Sequence, residues 1–159
     1  MSGIATCLWM DGRAEEAVAF YVGAFRQAGR EAAPGPVLHQ GEVGPGAPGS
    51  VLTATATLDG HVVIALNGGP LFQFTPAISL TITCETQAEV DRFWDALSDG
   101  GQTGQCGWLT DRFGVSWQVV PRRLPEMLMD ADPARAGRVM QTMLGMTKLE
   151  IAELEAAYG

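Results

Sequence analysis

Gln118 stands inside an otherwise apolar stretch, Val115-Ser116-Trp117-Gln118-Val119-Val120, that ends at Pro121. An unpaired buried amide costs about 1–3 kcal/mol. Its side chain therefore either bonds a neighbouring backbone group or faces a cavity, where it would orient a ligand carbonyl or amide. Cys106, beside Gly107 and Trp108, reads as a nucleophile, a redox-sensitive thiol or an inert buried cysteine. No basic residue is adjacent in sequence to lower its pKa, which favours the inert reading. Asn67 at a strand end, and Ser79 and Thr81 on one strand face, either line a cavity or satisfy backbone groups. Trp108, Trp117, Phe72 and Phe74 suit cavity walls and core packing equally. His39 and His61 form a weak metal motif, and surface placement is their default. No acid–base pair or activated nucleophile is evident.

The elements that must carry these side chains are short. Gln105–Leu109 reads as a strand, Asp111-Arg112-Phe113-Gly114 as a turn with Asp111 at its first position, and Val115–Val120 as the returning strand. Upstream, Ile4–Met10 is a strand with Thr6, Leu8 and Met10 on one face and Cys7 and Trp9 on the other. Asp11 is placed to cap a helix over Arg13–Ala24, which buries Ala17, Phe20, Tyr21 and Ala24. Glu15 and Glu16 favour its dipole. Gly29–Gly49 is rich in Gly and Pro and reads as a lid or a surface loop, with a short strand at Val37–Glu42. Val51–Leu58 and His61–Leu66 form a hairpin through Asp59-Gly60. Asn67-Gly68-Gly69-Pro70 then opens a crossing loop.

The pattern restarts with a strand over Ala77–Cys84 and a helix over Gln87–Leu97, stopped by Gly100-Gly101. Glu16–Tyr21 matches Glu89–Trp94 at a constant offset of 73 residues, so a strand–helix–strands unit is used twice. After Pro121 the segments Leu124–Met129, Pro133–Leu144 and Lys148–Ala157 read as helices. Their apolar face packs on the sheet or on a partner subunit, or binds varied ligands through its methionines.

Composition bounds the function. Apolar residues make up 47% and charged residues 18%, a balance suited to a globular domain of 159 residues or two small fused repeats. No apolar run reaches the ~18–20 residues of a membrane span. Met1-Ser2-Gly3-Ile4 lacks the basic region and apolar core of a signal peptide, so a cytoplasmic protein is expected. A net charge of −8 argues against nucleic acid. The three widely spaced cysteines, Cys7, Cys84 and Cys106, make neither a disulfide framework nor a cysteine zinc site. Lys148 is the lone lysine, and with the excess of Ala and Gly this points to a GC-rich bacterial gene.

Several motifs together resemble a known family. They are Leu8-Trp9-Met10-Asp11-Gly12, Ala14-Glu15-Glu16-Ala17, Phe20-Tyr21, Leu66-Asn67-Gly68-Gly69-Pro70 and Asp91-Arg92-Phe93-Trp94. They continue through Gln105-Cys106-Gly107-Trp108, Asp111–Gly114, Ser116–Pro121 and Met146–Leu154. The chain is similar to PhnB-like proteins of the vicinal-oxygen-chelate superfamily, the glyoxalase I and bleomycin-resistance fold. That resemblance implies an α+β fold of two βαβββ modules forming cupped mixed sheets around a cavity, with C-terminal helices, usually in a homodimer. The modules would span about 1–72 and 73–121, and the helical extension 122–159. Members often carry the label 3-demethylubiquinone 3-methyltransferase. No glycine-rich turn follows a strand and opens a helix here, so nothing in the sequence suggests an S-adenosylmethionine fold.

The superfamily's enzymes hold a divalent metal with His, Glu or Gln from the first, fourth, fifth and eighth strands. Carried over by strand, those positions fall near Thr6, at Ala65 or Asn67, near Ser79 and at Gln118. None is His or Glu, so the resemblance implies a lost metal site. The leading expectation is a metal-independent protein that binds a small, partly apolar molecule through Gln118, Ser79, Thr81, Asn67, Thr6, Cys106, Trp108 and Trp117. The alternative is a lyase, isomerase or dioxygenase-type enzyme whose divalent metal ion comes from ligands elsewhere, such as His39, His61 or Glu42. A third reading is an interaction module that uses its helical tail.

Overall fold

The computed structural model describes residues 3–159; the start of the N-terminal reading, Met1 and Ser2, lies outside them. The chain forms two compact units, Met1–Phe74 and Thr75–Gly159. Each contains one βαβββ module, and the second also carries the C-terminal helices.

In the first unit, β1 (Thr6–Met10) is followed by α1 (Ala14–Gln27), β2 (Ala32–His39), β3 (Val51–Leu58) and β4 (His61–Asn67). They form a sheet of order β1-β4-β3-β2, in which β1 and β4 run parallel. Asp59 and Gly60 both take positive φ, which gives the β3–β4 hairpin a turn matched to the strand twist. Leu8, Met10, Ala54, Ala56, Val63 and Ala65 are buried on the face that α1 covers with Ala17, Val18, Tyr21 and Phe25.

Asp11 does not cap α1. The cap position is Arg13, whose side chain makes no capping bond. Instead the amide of Ala14 donates to Asn67 Oδ1 at 2.9 Å, while Asn67 Nδ2 donates to the Val51 carbonyl at 3.1 Å. A residue 53 positions away thus supplies the acceptor that a local Asp or Ser usually provides. The strand expected at Val37–Glu42 is instead β2. It carries Pro34 and Pro36 at the sheet's edge, where a missing N–H is tolerated, and its register breaks between Pro34 and Val37. The loop that follows folds back on Gln40, whose amide donates to the Ser50 carbonyl at 2.7 Å.

The second unit repeats the plan. It comprises β5 (Ser79–Cys84), α2 (Gln87–Ser98), β6 (Gln102–Thr103), β7 (Trp108–Thr110) and β8 (Ser116–Pro121), in the order β5-β8-β7-β6. β5 and β8 are parallel, and the other pairs are antiparallel. Thr86 caps α2 by accepting from the Glu89 amide at 3.2 Å, and the Glu89 carboxylate accepts from the Glu85 amide, just before the cap, at 2.6 Å. Ile82, Cys84, Leu109, Trp117 and Val119 are buried on the face covered by Val90, Phe93, Trp94 and Leu97 of α2. The strand expected over Gln105–Leu109 begins later. Cys106 and Gly107 both take positive φ and form a turn ahead of β7.

Helices α3 (Arg123–Leu128), α4 (Pro133–Leu144) and α5 (Ile151–Tyr158) close the chain. Asp132 caps α4 by accepting from the Ala134 amide at 2.9 Å, with Pro133 in the first turn. Leu124, Met127, Val139, Met146, Leu149 and Leu154 form one apolar cluster, against which Val120 of β8 also packs. Gln87 fastens the tail to α2: its Nε2 donates to the Leu149 carbonyl at 3.1 Å, and its Oε1 accepts from the Ile151 amide at 2.8 Å. No helix among the described residues is long and apolar enough to cross a membrane.

Candidate functional site

Each sheet has one face under its helix and one open face. In the second unit, strand alternation and register put Ser79, Thr81, Gln118, Trp108, Thr110 and Gln102 together on the open face, with Ser116 on the same side but buried. Gln118 lies between Thr81 of β5 and Trp108 of β7. Its Nε2 donates to Ser79 Oγ at 2.9 Å, which orients the amide along the sheet and leaves Oε1 for another donor. The face is a row of hydroxyls and two carboxamides beside an indole, and none of those side chains is ionisable.

One end of this face is bounded by the tail. Val120, two residues from Gln118 on the same face, packs on the tail cluster. The Cys106 and Gly107 amides donate to the carbonyls of Met146 and Thr147, both at 2.8 Å, and Gly107 in turn accepts from the Val119 amide at 2.8 Å. Those bonds dock the tail segment on the Cys106-Gly107 turn, which itself bonds β8. Cys106 Sγ donates to the Met143 carbonyl at 3.5 Å.

Of the side chains singled out by sequence, Gln118, Ser79, Thr81 and Trp108 come together. Cys106 sits at the tail junction. Trp117, 2% exposed, is on the opposite face, with its indole N–H donating to Asp111 Oδ2 at 2.9 Å. Consecutive residues of a strand cannot line the same wall, a rule that bears on Trp117 and Gln118 directly. Thr110 and Gln102 were missed, because they depend on a register that a two-residue strand does not announce.

In the first unit, Thr6 pairs with Val63 on the helix-covered side, where its hydroxyl lies 2.9 Å from His61 Nε2. Asn67 spends both ends of its amide on backbone. The open face there carries Cys7, Trp9, Ile64, Leu66, Thr53 and Thr55. Trp9 is fixed by its indole N–H donating to the Gly69 carbonyl at 2.8 Å and by an edge-to-face contact with Phe72 at 4.9 Å.

His39 pairs with Val51 and His61 with Leu58, at opposite ends of β3. Seven residues of strand separate them by about 23 Å, so the two imidazoles of one chain do not share an ion. Among the described residues no group of three or more His, Cys, Asp or Glu side chains stands together.

Residues 2–120 match the family model described as 3-demethylubiquinone-9 3-methyltransferase. A PhnB protein from Bacillus cereus, itself described by that methyltransferase name, is 36% identical, with a TM-score of 0.65 over 76% of this chain and 99% of its own. A protein from Pseudomonas aeruginosa is 22% identical with a TM-score of 0.61, over 76% and 98% of the two chains. A glyoxalase/bleomycin resistance protein from Albidiferax ferrireducens is 15% identical with a TM-score of 0.50, over 76% and 99%. No curated protein matches the chain. By the family model and the Bacillus cereus relative, the chain belongs to the PhnB-like family that carries the 3-demethylubiquinone-9 3-methyltransferase description, and its fold is the one seen in the glyoxalase/bleomycin resistance protein.

Proposed function

We propose that the protein binds a small, uncharged, partly apolar molecule on the open face around Gln118, without the superfamily's metal. The observation that carries this reading is the chemistry of the face. Ser79, Thr81, Thr110, Gln102 and Gln118 offer donors and acceptors but no charge, and Trp108 offers an apolar plane. A ligand carbonyl or amide would meet the Gln118 carboxamide, with the Ser79 contact holding that amide in place.

The same donor set does not fit a divalent ion. Sites for such an ion draw mainly on imidazole, thiolate or carboxylate, and a neutral amide is a much poorer ligand. Here the strand positions implied by the superfamily are Thr6 and Ala65 on a helix-covered face, Asn67 bonded to backbone, and Ser79 and Gln118 bonded to each other. A hydrolytic or isomerising mechanism would also need an acid or base, and the open face of the second unit has none. The methyltransferase description is a name shared across the family, and no part of the binding reading uses it.

The working form is a cytoplasmic homodimer. Leu71 and Phe72, 74% and 60% exposed, support a protein partner, because adjacent large apolar side chains mark interaction surfaces.

The test is a thermal-shift screen of neutral aromatic and aliphatic amides and ketones against wild type and Gln118→Leu. The variant should melt within about 1 °C of wild type, since its position is only half-buried and faces away from the helix. Every shift seen with wild type should shrink. Hits that persist in Gln118→Leu, or a screen answered only by charged compounds, would defeat the reading.

A further inference from the structure

We propose a second ligand site, on the helix side of the first unit, that takes an anion-headed aliphatic molecule such as a medium-chain fatty acid. α1 does not cover the whole sheet. Beside it, where β2 breaks register between Pro34 and Val37, lies a groove of about 410 Å³. Its walls are Val18, Ala19 and Val22 of α1, and its floor is Pro34, Val37 and Ala54. That volume falls within the ~300–1,000 Å³ of small-molecule sites.

Charge at the two ends tells what fits. Arg26 lines one end, in the last turn of α1, with its Nε donating to the Ala32 carbonyl at 2.9 Å. That bond anchors the side chain, and among the described residues no carboxylate pairs with its guanidinium. By contrast six of the other eight arginines, Arg13, Arg30, Arg112, Arg122, Arg123 and Arg135, each lie beside an acidic side chain. An arginine fixed at the mouth of an apolar groove and lacking a counter-ion is complementary to a carboxylate, which it can bind through two parallel N–H bonds. Glu15 lines the other end, eleven residues earlier and so about 16 Å away along the helix. It repels a second anion, which sets the ligand's polarity: head at Arg26, apolar chain toward Glu15.

Gly23 supports the same reading. It lies inside α1 and lines the groove, and a Cβ built there meets no atom within 4 Å. A helix-interior glycine costs about 0.5–1 kcal/mol against alanine, so this one leaves space at the expense of helix stability.

The experiment is isothermal titration with laurate below its micelle concentration, on wild type, Arg26→Gln, Gly23→Leu and Gln118→Leu. Wild type should bind one laurate saturably. Arg26→Gln should weaken binding at least tenfold, and Gly23→Leu should abolish it while raising the melting temperature, which separates blockage from unfolding. Gln118→Leu should bind like wild type, which keeps this site distinct from the open face of the second unit. Dodecanedioate and dodecyltrimethylammonium should bind more weakly than laurate. The proposal is overturned by laurate binding that ignores Arg26→Gln and Gly23→Leu, or that is lost in Gln118→Leu. Absence of laurate binding overturns it too, as does sedimentation showing that a second copy fills the groove and is released in Gly23→Leu.

Discussion

Asp111 shows what a single side chain does for the candidate site. It is 3% exposed and accepts from the amides of Phe113 and Val115 at 2.8 and 3.0 Å and from the Trp117 indole at 2.9 Å. One carboxylate thus shapes the β7–β8 turn and pins the tryptophan behind Gln118. Hydrogen bonds to a charged group contribute about 1.5–3 kcal/mol each, and the donors left behind would be buried. Asp111→Ala should therefore lose at least ~3 kcal/mol in denaturant unfolding; a loss under ~1 kcal/mol would contradict this role. Asn67 works similarly across a longer distance in sequence. Asn67→Ala removes the acceptor for Ala14 and the donor to Val51, and should cost about 1–2 kcal/mol without altering ligand shifts at the other unit. Weaker ligand shifts at unchanged stability would instead make Asn67 a binding residue.

At the scale of elements, the two modules were legible because periodicity and turn chemistry are local. The β3–β4 hairpin announces itself through Asp59-Gly60, α4 through Asp132-Pro133, and the repeat through a constant offset between α1 and α2. What stayed hidden depends on distant partners. Asp11 reads as a cap, yet the acceptor for α1 arrives from Asn67. Gln105–Leu109 reads as a strand, yet Cys106 and Gly107 turn to meet Met146 and Thr147. Within the site, Gln118, Ser79 and Thr81 followed from alternation, whereas Thr110 and Gln102 required the register of β6 and β7.

The tail junction offers its own tests. Gly107 has φ +80°, and a Cβ there would lie 2.8 Å from the Val119 carbonyl and 2.9 Å from Leu149 Cδ1. Gly107→Ala should thus destabilise by more than ~2 kcal/mol and expose the tail to hydrogen exchange; wild-type protection would refute the docking role.

pH acts on the same junction. Lys148 Nζ lies 2.8 Å from Asp91 Oδ1. The Lys148 ammonium, then the Gln87 amide, hold the Asp91 carboxyl below its ordinary value, and Asp91 raises the Lys148 ammonium. A depressed carboxylate stabilises the fold above its unfolded pKa, and that contribution is lost as pH falls through the folded one. The raised ammonium stabilises below its unfolded pKa and loses this as pH rises through the folded one. Tail protection should therefore be greatest between these limits. Lys148→Met should flatten both flanks and cost at most ~1 kcal/mol at neutral pH, because the pair is partly exposed.

For the whole molecule, a net charge of −8 is poorly suited to binding polyanions. The two proposed sites differ in charge, the Gln118 face being proposed for a neutral ligand and the Arg26 groove for an anionic one. Size-exclusion chromatography with light scattering should give twice the chain mass, and substituting Leu71 and Phe72 by Ser should shift it toward the monomer; an unchanged dimer would place the interface elsewhere.

If binding needs no metal, tag-free protein should contain substoichiometric metal, and its melting temperature should be the same before and after chelator. Stoichiometric metal with a chelator-induced drop in melting temperature would contradict metal-free binding, and would turn attention to His39, His61 and Glu42.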